Sequence, residues 1–326
     1  MNDLIASFSQ QLSEALSIGK NASLHTDNFV PKNVIISGMG GSGIGGTIIQ
    51  NFATRRVNIP VITNKSYHLP AFADSHSLVI ISSYSGNTEE TLSALQEAVQ
   101  MKCRIVCITS GGTIGQQAQE QGLDTIIVPG GMQPRACLGY SLVQLLFVLA
   151  GYGLIDYQFE AELEASIQLL DTEEDQIKKQ AESLANWMKD LIPVLYVGES
   201  LQGVAVRWCQ QINENGKSLC WHNQIPEMNH NEIEGWEARR NDMAVLMIRS
   251  EEDEQLVQRR IDIVEKLIRD KTDQVRQIQA LGSTYLERAL YLIHLGDWLS
   301  WYLSQAKQVN PNQVKMIDFL KSALSE

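Results

Sequence analysis

Short apolar runs alternate with amphipathic stretches along most of this chain, and the alternation predicts its elements. Val34–Ser37, Val61–Thr63, Leu78–Ser82, Arg104–Thr109 and Thr125–Val128 are brief runs rich in β-branched residues, the pattern of strands buried on both faces. Helical spacing between them predicts helices over about 44–54, 88–101 and 113–121. Residues 2–20 put Leu4, Ile5, Phe8, Leu12 and Leu16 on one stripe, predicting a helix packed on the first domain. Strands that alternate with helices in this way form a parallel sheet covered on both faces. Ligands of such sheets sit beyond the carboxyl ends of the strands.

The second half repeats the theme. Residues 129–153, PGGMQPRACLGYSLVQLLFVLAGYG, predict a loop and then a helix apolar enough to be buried. The acidic, periodic stretch 159–190 predicts a pair of connector helices. A new alternation starts at Pro193, with a strand over Val194–Val197 that ends in Gly198-Glu199-Ser200 and a helix to about 213. Strands over Ala244–Ile248 and Gln274–Gln279 and helices over 251–269, 284–304 and about 311–324 follow. The similar halves predict a duplicated α/β fold, with domains over 1–153 (including the amino-terminal helix) and 154–326 (including the connector helices and the last helix).

The chain is organised around 78–91, LVIISSYSGNTEET. A buried strand leads into a turn carrying Ser82, Ser83, Ser85 and Thr88, and Glu89 opens a helix. Backbone N–H groups at a helix start are unpaired and carry partial positive charge, so hydroxyls beside them make a cradle suited to a phosphate ester. The same pattern also describes a Ser/Thr-capped helix. A second turn, GMGGSGIGG, follows the first strand. Gly38, Gly40 and Gly43 have dinucleotide-loop spacing, but that fold wants a carboxylate about 20 positions on, and the chain reads Ile62-Thr63-Asn64-Lys65 there. A triphosphate loop wants a lysine where Gly46 stands. What remains is a turn that a ligand can approach closely, with Ser42 as donor, or else close packing of helix on strand.

Composition narrows the partners. The 326 residues carry 26 basic and 38 acidic side chains, a net charge of −12, which argues against nucleic acid or an anionic membrane as the main partner. The apolar runs fall far short of the roughly 18–20 residues of a membrane span, and the start of the chain lacks a signal-peptide pattern. Five cysteines, none in a CxxC pair, fit a reduced, cytoplasmic setting. The six histidines are scattered, so no metal site and no cofactor are expected.

A second chemical stretch runs over 207–236, RWCQQINENGKSLCWHNQIPEMNHNEIEGW. Glu214 closes a helical pattern among Asn213, Asn215 and Lys217, and a carboxylate so placed is a candidate general base. His230 lies between Asn229 and Asn231, where amides can orient it for proton transfer. Each can also be a surface residue.

Together GMGGSGIGG, SYSGNTEET, PRACLGY, NENGK and PEMNHNEIEGW resemble the bifunctional phosphoglucose/phosphomannose isomerases of the sugar isomerase (SIS) superfamily, in order from about Val34 to the carboxyl end. The resemblance implies an α/β protein of two SIS-type domains, each a mainly parallel sheet flanked by helices on both faces. It implies a metal-independent isomerase interconverting glucose 6-phosphate or mannose 6-phosphate with fructose 6-phosphate through a cis-enediol. By the same resemblance Gly41, Ser42, Ser83, Ser85 and Thr88 bind substrate, and Arg135 steadies the enediolate. Glu214 moves the proton between C1 and C2, while His230 and Lys321 assist ring opening. The family site is completed by a neighbouring subunit, so a homodimer is expected. Pro311-Asn312-Gln313-Val314 holds no threonine where the family often has one linked to the mannose epimer, which makes glucose 6-phosphate the leading substrate.

The alternative is a non-catalytic sugar-phosphate-binding SIS protein, but such regulators carry a basic helix-turn-helix for which the amino-terminal helix is too short. An aminosugar-forming enzyme would need a glutaminase domain with a leading cysteine, and a metal-dependent isomerase would need a ligand cluster.

Overall fold

In the computed structural model, which describes residues 1–324, the chain divides into two compact units. The amino-terminal unit is Ser7–Gln168 with Thr284–Glu287; the carboxy-terminal unit is Leu169–Ser283 and Arg288 onward, with Met1–Ala6.

In the amino-terminal unit β1 (Asn33–Ser37), β2 (Val61–Asn64), β3 (Ser77–Ser82), β4 (Arg104–Thr109) and β5 (Asp124–Ile127) form a parallel sheet of order β2-β1-β3-β4-β5. Successive side chains of a strand point to opposite faces. Ile35, Val79, Ile81, Ile105 and Cys107 make one face and pack with Ala94, Leu95 and Ala98 of α4 (Glu89–Gln100) and Ile114 and Ala118 of α5 (Gly112–Glu120). Val34, Ile36, Ile80 and Val106 on the other face are equally buried. Helix α3 (Gly40–Ala53) packs on β1, β2 and α6 (Leu138–Gly151). Every residue of α6 from Leu138 to Ala150 is buried, as its apolar composition predicts, and each large side chain so removed from water is worth about 1.5–3 kcal/mol.

Helix α3 starts at Gly40, earlier than its apolar spacing suggests. Glycine is a poor helix former, but a Cβ on Gly46 would stand 2.6 Å from Thr63 Cγ2 of β2 and 2.8 Å from Ile36 Cγ2 of β1. Close packing of helix on strand therefore accounts for that glycine, the second of the two roles open to the glycine-rich turn.

In the carboxy-terminal unit β6 (Ile192–Gly198), β7 (Trp221–Ile225), β8 (Met243–Arg249) and β9 (Val275–Gln279) are parallel in the order β7-β6-β8-β9. This repeats the order β2-β1-β3-β4, the topological mark of the expected duplication. Val194, Tyr196, Val245 and Met247 pack with Ile261, Val264 and Ile268 of α9 (Gln255–Arg269) and with Met228 and Trp236. Helix α8 (Gln202–Glu214) packs on β6 and β7.

Three expectations change. The stretch 2–20 divides at Ser7 into α1 (Asn2–Ala6) and α2 (Phe8–Asn21). The expected pair of connector helices is one continuous helix, α7 (Phe159–Met188), because its acidic middle contains no glycine or proline to stop it. Strand β7 has no counterpart in the apolar pattern, since Trp-His-Asn-Gln-Ile is a polar edge strand with only Ile225 fully buried. Helices α10 (Tyr285–Ala306) and α11 (Lys315–Leu324) occupy the expected positions. Among the described residues no helix is long and apolar enough to cross a membrane.

Candidate active site

Both hydroxyl-bearing turns follow carboxyl ends of adjacent strands, since Ser37 of β1 pairs with Ile81 of β3. Ser42 stands in the first turn of α3 and is buried; its Oγ accepts the backbone N–H of Tyr84 at 2.9 Å. The hydroxyl hydrogen of Ser42 is thereby left to donate to another group. Ser83 Oγ donates to Thr88 Oγ1 at 3.2 Å, and exposed Ser85 accepts the N–H of Asn87 at 3.3 Å. Thr88 precedes α4 in extended conformation and makes no side-chain cap, so its hydroxyl does not consume the first N–H groups of that helix. Lys65 flanks the glycine-rich turn, its Cε 3.7 Å from where a Cβ of Gly43 would lie.

Arg135 reaches the same region on a single helical turn, Pro134–Ala136, and is buried. A Cβ on Gly41 would stand 2.9 Å from Pro134 O and 3.2 Å from Arg135 Cα. Gly41 thus permits the Arg135 backbone to abut the start of α3. Two further ties hold that loop. Tyr84 Oη accepts the Met132 N–H at 3.2 Å. Buried Gln11 of α2 donates to Ala136 O at 2.9 Å and accepts from Gly139 N at 2.7 Å. Burial, then a hydrogen bond with Cys137, pushes the Tyr84 phenol far above its ordinary range, so it stays protonated. Gly41, Ser42, Ser83, Ser85, Thr88 and Arg135 are therefore gathered at one end of one sheet. Tyr84, inside the hydroxyl-rich turn, is the residue that links its parts.

The carboxy-terminal unit carries Glu214, His230 and Lys321. Half-buried Glu214 ends α8. That helix is fixed to α10 by a buried ion pair, Arg207 to Asp297 at 2.6 Å, with Gln211 donating to the other Asp297 oxygen at 2.9 Å. Asn215 donates to Ser300 Oγ at 2.9 Å, and Trp208 Nε1 to Leu292 O at 2.8 Å. Lys217, at a positive φ of 50°, donates through Nζ to the carbonyls of Glu214 and Gln313. The 311–314 segment, where the family threonine is missing, therefore lies at the end of the Glu214 helix. Lys321 lies farther along, on the exposed helix α11.

His230 is exposed at the end of the short helical turn Glu227–His230. Its loop hangs from a separate cluster on Glu232, which accepts from Tyr196 Oη at 2.6 Å, Asn223 Nδ2 at 2.6 Å and Trp221 Nε1 at 3.2 Å. Trp236 closes the cluster by donating to Tyr196 Oη at 2.9 Å. Burial holds the neighbouring His222 imidazole below its ordinary range against the opposite pull of Glu232, and its Nδ1 is buried without a partner.

The turn after β8 is the topological counterpart of the SYSGNT turn after β3, and it is filled differently. It reads Ser250-Glu251-Glu252-Asp253-Glu254. The Asp253 carboxylate accepts the Ser250 N–H at 3.1 Å and lies over Gly198, where a Cβ would meet Oδ1 at 2.1 Å. Burial raises the Asp253 carboxyl above its ordinary range.

Sequence spacing gave no sign of Tyr84 as a link, of Arg207 with Asp297, or of the anchors at Lys217 and Glu232. The partners in the first two cases are far apart in the chain, and Tyr84 uses its backbone as much as its side chain.

Residues 177–324 match the model of the bacterial phospho-glucose isomerase C-terminal SIS domain. The chain is 38% identical over 337 residues to a bifunctional phosphoglucose/phosphomannose isomerase of Caldicellulosiruptor bescii, covering 100% of this chain and 99% of that one. It is 38% identical over 298 residues to a protein of the same name from Aquifex aeolicus, covering 90% and 91% of the two chains. A solved structure, a hypothetical protein from Thermus thermophilus, shares the fold at a TM-score of 0.79 and 17% identity, over 99% of this chain and 90% of that one. With relatives this similar over their whole length, the chain belongs to the bifunctional phosphoglucose/phosphomannose isomerase family.

Proposed function

We propose that the protein interconverts glucose 6-phosphate, and mannose 6-phosphate as a second substrate, with fructose 6-phosphate. The observation that carries this reading is the end of the amino-terminal sheet, where Ser42, Ser83, Ser85 and Thr88 surround the start of a helix and Gly41 admits Arg135 beside them. The hydroxyls and helix N–H groups moor the phosphate, which holds the reacting carbons in place. Glu214 takes the proton from one of C1 and C2 and returns it to the other, and Arg135 offsets the charge that builds on the enediolate oxygen. His230 and Lys321 serve the ring oxygen and the anomeric hydroxyl during ring opening. The reaction needs no metal in this scheme, because a guanidinium supplies the electrophile. The two compact units act as the two SIS domains, the working form is a homodimer with sites completed across its interface, and the enzyme operates in the cytoplasm.

Coupled assays of the purified protein on fructose, glucose and mannose 6-phosphates, with and without EDTA, test the reading. Turnover between fructose and glucose 6-phosphates in chelator is expected. Binding without turnover would establish the non-catalytic alternative, and loss of activity in EDTA would overturn the metal-free scheme. Gel filtration coupled to light scattering tests the dimer.

A further inference from the structure

The stretch that carries Glu214 is bracketed by two cysteines whose sulfurs touch. Cys209 lies earlier on α8 and Cys220 immediately precedes β7, both in the carboxy-terminal unit. Their Sγ atoms are 3.1 Å apart. That is about 1 Å longer than a sulfur–sulfur bond. Cys209 is buried and Cys220 half-buried, so a reagent from solvent meets Cys220 first.

We propose that Cys209 and Cys220 form a reversible disulfide whose closure slows turnover at Glu214. The oxidant is a small-molecule disulfide. Cys220 loses its proton to solvent, and its thiolate attacks one sulfur of the oxidant, breaking that bond and expelling one thiol. Cys209, deprotonated in turn, attacks Cys220 Sγ and expels the second thiol. Two protein thiols lose two electrons, and the oxidant becomes two thiols. The hydrogen bond with Cys209, together with burial, pushes the Cys220 thiol up, so closure accelerates as pH rises.

Closure makes a covalent ring of the chain from Cys209 to Cys220, with Glu214, Asn215 and Lys217 inside it. Asn215 and Lys217 are already tied to Ser300 and Gln313. Drawing the sulfurs together by about 1 Å therefore pulls the ring against a fixed frame, and a misplacement of about that size at a reacting group can cost on the order of 100-fold in rate.

The experiment treats full-length reduced protein with oxidised glutathione, removes the excess, alkylates free thiols and maps peptides by mass spectrometry. Turnover on fructose 6-phosphate is measured in parallel, before and after dithiothreitol. The expected result is a Cys209–Cys220 linked peptide and a fall in kcat of about ten-fold or more, reversed by the reductant. Cys220→Ser is expected to keep the reduced-state kcat through the same treatment. Absence of the linked peptide overturns the proposal, and so does a linked peptide with kcat unchanged. The rate effect rests on the isomerase reading, whereas the peptide map does not. A reduced protein without turnover would thus sink that reading and the rate effect together, and leave the map to decide whether the bond forms.

Discussion

The backbone N–H of Tyr84 donates to Ser42 Oγ at 2.9 Å and joins the two hydroxyl-bearing turns of the amino-terminal sheet. One hydroxyl thus does two things. It satisfies a part-buried backbone donor, and it is turned so that its own hydrogen faces outward from that bond. Ser42→Ala removes both. Leaving the donor unpaired costs about 1–3 kcal/mol of stability, and the missing contact raises KM for fructose 6-phosphate by about ten-fold, which is about 1.4 kcal/mol of binding. Thermal melts and steady-state kinetics on one preparation check both effects. An unchanged KM would remove Ser42 from the ligand.

Glu214→Gln keeps the shape of the side chain and removes the base. Positioned acid–base groups contribute about 10²–10⁴-fold, so kcat should fall by that range while calorimetry still detects fructose 6-phosphate binding. Turnover near that of the parent would move the base elsewhere.

Asp297 is buried against Arg207, with Gln211 on its second oxygen. Breaking such a pair from one side leaves an uncompensated charge, at a cost of about 3–5 kcal/mol. Asp297→Ala should lower the urea midpoint accordingly. Replacing both partners by apolar residues, as in Arg207→Leu with Asp297→Leu, should recover much of that loss. A single variant as stable as the parent would show that the pair does not hold α8.

The half-buried imidazole of His222 is held below its ordinary value of 6.5 by partial burial. The folded state therefore favours the neutral ring. The stability this gives is complete above the ordinary value and drains away as pH falls through the lowered one. Urea midpoints measured from about pH 8 down to about pH 5 should decline on the acid side, and the decline should be smaller in His222→Gln. Equal slopes in the two proteins would assign acid sensitivity to other groups.

Most of the fold was legible because buried parallel strands announce themselves. Val34–Ser37, Leu78–Ser82 and Ala244–Ile248 are apolar on both faces and flanked by helical spacing. Strand β7 escaped because it lies at a sheet edge, where Trp221, His222 and Asn223 need not be apolar. The start of α3 escaped because its glycines answer to packing and not to helix propensity, as Gly46 against Thr63 and Ile36 shows. Of the candidate site, the places of two kinds of group were legible, hydroxyls after a strand and a carboxylate at a helix end, whereas the amides expected to orient His230 bond elsewhere, Asn229 to Met228 Sδ and Asn231 to Glu227. The supports of these groups were not legible. Arg207 and Asp297 meet across 90 positions of chain, and no spacing rule links them. Tyr84 reads as an ordinary aromatic until its N–H and phenol are seen on two different loops.

The carboxylate of Asp253, lodged over Gly198, bears on how many anions the proposed function allows each chain to hold. The repeated strand order offers two equivalent places for an anion, one after β3 and one after β8. In the second, a phosphate would meet Asp253 and the neighbouring Glu251, Glu252 and Glu254 where the first presents hydroxyls. If the amino-terminal turn moors sugar phosphate as proposed, each chain takes up one equivalent, not two. On that proposal the halves of a doubled fold have specialised, one as the mooring and the other, relieved of that duty, as the bearer of the proton-moving groups.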